Sequence, residues 1–471
     1  MGTYGRFYAD IMSVHPEVTG SCNLVVVKLP NGETIKFIVD CGLFQEREYD
    51  QLNDSLPFDA EDVDFAIVTH NHVDHIGRLP FLVKNGFRGE IYTTESTSKL
   101  MPLALNDSYR ILKGVFKRKN QRELYGETDV SDTMTLVKAC NYFETLKAND
   151  NIKITFLENG HLIGAALVLV QISYPEHEDI NILFTGDYNN KNMFFDITPV
   201  PKWVLELPLT VVQESTYGYV DSDIVVKTFE DNVLKCVNNG GTVIVPVFSL
   251  GRAQECLYIL KCMQDNEELD KNIPIYLDGK LAIKYTSLYL MRELNIKEEM
   301  EDFLPENLTF VDKVSRPALL EDTEVKIILT TSGMGSYGPA QIYIPTYIAR
   351  KNCLIQFTGY TSEGTLGARL KNTELGETVE VGGLLVKKRA DVEYTTEFSA
   401  HAKADEMIEF LNQFENLKLV LVNHGHAEVK MSFAERILDE VSPKMVGILG
   451  REYFFRVNPY GLQKTLPTKF K

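Results

Sequence analysis

Residues 61–77 read EDVDFAIVTHNHVDHIG, and this stretch constrains the chain more than any other. Phe65, Ala66, Ile67 and Val68 form a short apolar run with aromatic and β-branched members, which reads as a buried strand. Directly after it, His70, His72, Asp74 and His75 crowd into one loop. Imidazole nitrogens and carboxylate oxygens, at about 2.0–2.2 Å, are ligands that zinc favours. Alternation sends His70 and His72 the same way, while Asp74 and His75 stand one turn further on and can serve a second ion. The competing reading is a histidine-rich solvated loop, but a strand that stops on four ligand-type residues delivers them all to one place. Two ions need more ligands than this loop holds, so others must arrive from elsewhere in the chain.

A chain of 471 residues has room for two or three domains, and its 44% apolar content is enough to build cores. No apolar run approaches the length of a membrane span, and the first twenty residues lack an apolar signal core. The seven cysteines are odd in number and scattered without CxxC spacing. That pattern predicts free thiols in a cytoplasmic protein rather than a disulfide framework. A net charge of −18 argues against a surface that coats nucleic acid generally. A local basic channel at a metal site remains compatible with it, because bound ions themselves carry positive charge. The densest basic cluster is KGVFKRKNQR at 113–122, which reads either as a solvated helix face or as an RNA-contacting arm.

Further ligand-type residues sit at other strand ends. CNLVVVKL and TIKFIV flank Asn31-Gly32 as a hairpin, and the second of these strands ends at Asp40. Asp40 precedes Cys41-Gly42, so it is either a turn former or a carboxylate aimed at the site. Strands at 152–157 and 166–173 are joined through a turn holding His161, and INILF at 180–184 ends in Thr185-Gly186-Asp187. From about Val211 strands and helices alternate, which predicts a parallel sheet with helices on both faces. Neither GxGxxG nor GxxxxGK[ST] occurs, so a nucleotide-binding loop is not expected. Strands return from about 376, and LKLVLVNHGH places His424 at the end of another.

Together these phrases, VTGSC, DCGLFQ, THNHVDHIGRLP, GHLIGAA and FTGDY, resemble successive motifs of the metallo-β-lactamase fold. ESTYG at 214–218, VPVFSLGRAQE at 245–255, TTSGM at 330–334, GYTSEGTLG at 359–367, FSAHA at 398–402 and NHG at 423–425 extend the likeness. They are similar to the β-CASP nucleases, in the RNA-processing group related to the nuclease subunit of the cleavage and polyadenylation machinery. The resemblance implies an α/β chain with a four-layer αββα metallo-β-lactamase domain interrupted by a parallel-sheet, Rossmann-like β-CASP domain. Its expected limits are 1–213 and 396–471 for the first domain and 214–395 for the insert.

Carried onto this sequence, the resemblance puts His70, His72 and His161 on one zinc ion. It puts Asp74, His75 and His424 on a second, with Asp187 bridging the two and Asp40 supporting the histidine loop by hydrogen bonds. Glu214, His401 and His424 match the family's three insert motifs, and a histidine at 424 goes with its RNA-processing members. The implied activity is hydrolysis of single-stranded RNA, within the strand or from its 5′ end, leaving 5′-phosphate and 3′-hydroxyl ends. Asp74 and Asp187 would handle the proton of the attacking water, and His401, oriented by Glu214, would protonate the leaving oxygen. Ser399, Ser332, Gly333, Arg252 and Lys280 are candidate substrate contacts, and a homodimer without membrane attachment is expected. Two residues depart from the pattern: Asn159 stands where relatives often have a small residue, and His426 where glutamate often follows the glycine. The rival readings are a hydrolase of DNA or of a small ester or thioester, which would share only the first motifs, and a non-catalytic RNA-processing scaffold.

Overall fold

The structure, a computed structural model, describes residues 7–15, 17–119, 123–222, 228–291, 294, 296–359, 361, 364–459 and 461–467. Positions 120–122 of the basic cluster, 223–227 of the stretch where strands and helices alternate, and 360 and 362–363 of GYTSEGTLG lie outside them. The chain divides into two compact units, one of residues 1–192, 196–222 and 400–471, the other of 193–195 and 223–399.

The first unit holds two sheets. The eight-stranded sheet runs 461–467, 453–458, 8–13, 23–28, 34–39, 65–67, 90–94 and 137–140 in spatial order. The seven-stranded sheet runs 445–448, 417–423, 209–214, 180–184, 166–172, 152–158 and 145–147. Period-two alternation explains how they stack. In strand Ala166–Ile172, Ala166, Val168, Val170 and Ile172 join a core shared with Val25, Phe37 and Phe65 of the other sheet. Leu167 and Leu169 point the opposite way, into a core with Met407, Ile408, Phe433 and Ile437 of helices Ala404–Leu411 and Ala427–Glu440. On the outer face of the eight-stranded sheet, Ile38, Ala66 and Ile91 pack with Leu79, Leu82, Met101 and Leu105 of helices Leu79–Lys84 and Glu95–Lys119. Three cores between four layers give an αββα sandwich.

The second unit carries a six-stranded sheet in the order 308–311, 275–278, 326–330, 242–246, 354–357 and 391–394. Every pairing in it is parallel. Its central strands 242–246, 326–330 and 354–357 are buried along their whole length, as a sheet covered on both faces requires, and Ile244, Ile328 and Ile355 pack with Tyr343, Ile344 and Tyr347 of helix Ala340–Ile348. This unit opens later than the expected 214 and closes later than the expected 395. The reason is that strand Leu209–Glu214 pairs with both 180–184 and 417–423 and so belongs to the first unit's sheet. No helix among the described residues is long and apolar enough to cross a membrane, and all seven cysteines are free.

Phe156 is fully buried in the core between the two sheets. Phe156→Ala should therefore cost the first unit about 3–5 kcal/mol, through lost transfer energy and a cavity that cannot collapse. A urea titration of the unit's unfolding checks this.

Candidate metal centre

Strand pairing brings the candidate ligands to one edge. Strands Thr34–Val39 and Phe65–Ile67 are parallel neighbours, so Asp40 and the histidine loop leave the sheet side by side. In the other sheet, 180–184, 209–214 and 417–423 are also parallel neighbours. Asp187, Glu214 and His424 thus emerge together, and the antiparallel pairing of 166–172 with 180–184 places the His161 turn beside them. Ala166 N–H donates to the Thr69 carbonyl at 3.0 Å, which ties the two sheets at this edge.

Within the loop, His72 caps a single helical turn, Val73–Ile76, that swings Asp74 and His75 away from His70 and His72. Gly42 is required beneath it, since a Cβ there would lie 1.5 Å from the Asp74 carbonyl oxygen. His72 Nδ1 is 3.1 Å from both His70 Nε2 and His161 Nε2, and Asp187 Oδ2 lies 3.6 Å from the same two Nε2 atoms. On the other side, Asp187 Oδ1 is 3.3 Å from His75 Nε2 and from His424 Nδ1. His70, His72, His161 and Asp187 form one group with ligand atoms within 4.8 Å of one another, and Asp74, His75 and His424 form a second. The structure therefore brings together all seven residues the sequence singled out as ligands, every one of them within the first unit.

These residues fit a cation chemically. His75 Nε2 and Asp187 Oδ1 are buried and make no hydrogen bond, although they stand 3.3 Å apart, and His424 Nε2 is likewise buried without one. Burial lowers His70 and His161 well below the ordinary imidazole value, keeping them neutral and able to donate a lone pair. His75 behaves differently. Burial lowers it too, but the carboxylates of Asp187 and Asp40 outweigh that and raise it well above its ordinary value. Burial raises Asp187, yet the surrounding His424, His75, His401 and His70 hold it well below the carboxylate range. A buried carboxylate ringed by imidazoles thus draws in positive charge, as protons or as metal.

The supporting contacts are specific. Asp40 accepts from Thr69 N–H and Thr69 Oγ1, each at 2.8 Å, and its Oδ2 is 2.8 Å from His75 Nδ1. Thr69 Oγ1 also lies 3.0 Å from His70 Nδ1. His161 Nδ1 is 2.8 Å from the Ala400 carbonyl, and His424 Nδ1 is 3.1 Å from Thr216 Oγ1. The partners of His70, His75 and His161 fix each ring so that its Nε2 faces the centre, whereas His424 presents Nδ1 to both Thr216 and Asp187. Beside them, His401 Nδ1 meets both Glu214 oxygens at 2.9 and 3.1 Å, with His401 Nε2 3.9 Å from Asp187 Oδ2. Burial lowers His401, but the charges of Glu214 and Asp187 and the hydrogen bond to Glu214 lift it to about 9.

Several of these contacts were invisible in the sequence. Thr69 and Thr216 sit inside quoted motifs but carry no ligand chemistry to flag them. His15 is buried with its ring 5.9 Å from that of His424, and its Nδ1 accepts from Cys22 N–H at 3.1 Å. His426 turns outward to Glu17, 2.7 Å away. The candidate substrate contacts all lie in the second unit. Lys280 is exposed, Ser332 and Ser399 are half-buried, and Gly333 lies under the Phe248 ring. Arg252 differs from the exposed Lys280. It is buried, its guanidinium donating to Glu255 and the Thr358 carbonyl and stacking on Phe398, because the residue after Gly251 turns into the sheet edge rather than away from it.

Comparison with known proteins follows the same division. Residues 18–199 match the metallo-beta-lactamase superfamily, 253–370 the Beta-Casp domain, and 385–444 the Zn-dependent metallo-hydrolase RNA specificity domain. Ribonuclease TTHA0252 of Thermus thermophilus is 30% identical over 88% of this chain and 91% of its own length. The chain belongs to the β-CASP family of the metallo-β-lactamase superfamily. An RNase J-like protein of Methanocaldococcus jannaschii is also 30% identical, over 89% of this chain and 94% of its own. Endoribonuclease ysh1 of Schizosaccharomyces pombe is 29% identical over 87% of this chain but only 53% of its own length. As a β-CASP member the chain is a hydrolase, and its buried His/Asp groups suit a divalent metal.

Asp40→Asn keeps the shape of the Asp40 side chain but replaces one acceptor of the Thr69 and His75 contacts with a donor. Divalent-metal affinity should fall by about 10- to 100-fold. Competition with a chromophoric chelator measures it.

Proposed function

We propose that this chain hydrolyses phosphodiester bonds of single-stranded RNA with two zinc ions, leaving 5′-phosphate and 3′-hydroxyl ends. The observation that carries the reading is the Glu214–His401 pair beside Asp187. An RNA 3′-alkoxide is a strong base and must gain a proton as it leaves, whereas a thiolate needs none. His401 is placed for that task. Its Nδ1–H is held by Glu214, so Nε2 is the atom that gives the proton to the departing oxygen. The names of the relatives, a ribonuclease and an endoribonuclease, and the RNA specificity domain matched at 385–444 support RNA as the substrate class.

In this reading His70, His72 and His161 hold one ion, Asp74, His75 and His424 the other, and Asp187 is shared. Two ions bound there would polarise the phosphoryl group and activate a water for in-line attack. Asp40 and Thr69 keep His75 and His70 aimed, and the Ala400 carbonyl does the same for His161. Asp74, only partly buried, and Asp187 are the carboxylates that hold the proton of the attacking water. Lys280, Ser332, Gly333 and Ser399 remain the proposed contacts to the RNA backbone.

Two outcomes are expected on end-labelled single-stranded RNA. His401→Ala and Glu214→Gln should each lower kcat by about 10²- to 10⁴-fold with metal content unchanged, and the double variant should be scarcely worse, since the two act as a unit. Chelation should abolish cleavage and added zinc restore it. Full activity of Asp74→Ala with both metals retained would refute the two-ion assignment. Cleavage of DNA or small esters alone would refute the substrate class.

A further inference from the structure

Asn159 follows strand Ile152–Glu158 and is 1% exposed. Its amide makes four hydrogen bonds to backbone. Nδ2 donates to the carbonyls of Thr185 at 2.9 Å and Asp187 at 2.7 Å, while Oδ1 accepts from the N–H groups of His161 at 3.0 Å and Asn189 at 3.1 Å. One planar group thus grips the backbone of two ligand-bearing residues, His161 on one turn and Asp187 on the next. The two turns are also drawn together directly. Gly160 N–H donates to the Asn189 carbonyl at 2.9 Å, and Asn192 Nδ2 to the Gly160 carbonyl at 2.9 Å. The approach is too close for any side chain at Gly160, where a Cβ would lie 2.6 Å from the Lys191 carbonyl oxygen.

We propose that Asn159 is a positioning residue that sets the separation of His161 Nε2 and Asp187 Oδ2, 3.6 Å here, and so the affinity for the ion held by His70, His72 and His161. The role rests on the metal-centre reading and is independent of the substrate. Backbone anchoring suits the task. Asp187 keeps both carboxylate oxygens for the centre, and His161 keeps Nε2 for it with Nδ1 on the Ala400 carbonyl, because Asn159 holds each residue by its main chain instead. An amide is the one side-chain group of this size that offers two donors and two acceptor lone pairs in one plane. Alanine at 159 would leave the His161 and Asn189 N–H groups and the Thr185 and Asp187 carbonyls without these partners, freeing the two turns to drift apart. Of the second ion's ligands, His75 is anchored through Asp40, itself held by Thr69, and His424 through Thr216, so both would keep their geometry.

The test is zinc titration of the full chain in competition with a chromophoric chelator, alongside absorption of the cobalt-substituted protein and melting of the metal-free protein. Wild type should take up two equivalents. In Asn159→Ala one binding constant should weaken by about 10- to 100-fold while the other holds, with altered cobalt d–d bands. Asn159→Asp, of the same shape but without the two donors, should weaken the same ion and serves if the alanine variant does not fold. A lower metal-free melting temperature with both constants unchanged would overturn the proposal, as would equal weakening at both sites. A wild type that binds no metal would overturn the centre itself and this role with it. One that binds two ions but leaves RNA intact would overturn only the proposed function.

Discussion

Asp40 is the residue on which the centre depends. It is buried, it sits in the left-handed region at φ 65°, and both its oxygens are used on Thr69 and His75. Left-handed backbone costs an aspartate less than most residues, about 1–2 kcal/mol at most. The strain redirects the chain at the end of strand Thr34–Val39 so that the carboxylate faces the histidine loop instead of following the pleat. His424 repeats the device in the other sheet, at φ 47° directly after strand Leu417–Asn423. Each sheet thus ends one strand on a non-glycine residue in the left-handed region, and both residues serve the site. Strain held at such points persists only where surrounding contacts over-determine it, and here the hydrogen bonds of Asp40 and the pairing of 417–423 do so.

The second constraint is electrostatic. Asp40 and Asp187 carry charge into a region only a few per cent exposed, and imidazoles surround Asp187 on every side that the ligands occupy. Without metal, protons must supply the compensating charge, which is why His75 and His401 are drawn upward while His70 and His161 stay neutral. With metal, the ions take that place and the protons are released. Metal affinity should therefore fall as pH drops and protons compete for the imidazoles.

Much of this was legible in the sequence for one reason. Ligand-type residues stood at the ends of strands that could be recognised by their alternation, and strand ends are where a sheet delivers side chains to a common edge. The αββα layering and the parallel insert followed from periodicity together with the family resemblance. What was not legible depended on which neighbours a segment meets. Strand Leu209–Glu214 is equally apolar whichever sheet it joins, so its place in the first unit emerges only from pairing with 180–184 and 417–423. Arg252, a candidate substrate contact in the sequence, turns inward to the Thr358 carbonyl and the Phe398 ring. Asn159 stood out as a departure from the family, but its four backbone partners come from two separate turns, at His161 and at 185–189.

The register of the seven-stranded sheet shows how the site survives an insertion in its middle. Glu214 pairs directly with Asn423, although the whole second unit lies between them in sequence. The departing and returning segments are stitched to each other within the first unit. Ala404 N–H donates to the Val220 carbonyl at 2.8 Å, Ser222 N–H to Asp405 at 3.0 Å, and Ala402 N–H to the Tyr188 carbonyl at 2.7 Å. Closing a long loop costs only about 0.6 kcal/mol more for each doubling of its length, so a large insert adds little penalty once its two ends are fastened. The same stitching holds Ala400 and His401 against His161 and Glu214. The histidine loop, the sequence's most conspicuous feature, supplies four of the seven candidate ligands early in the chain. His424 and the His401–Glu214 pair are completed only when the last segment adds its strand beside Leu209–Glu214, so the centre is assembled by the most sequence-distant pairing in this sheet.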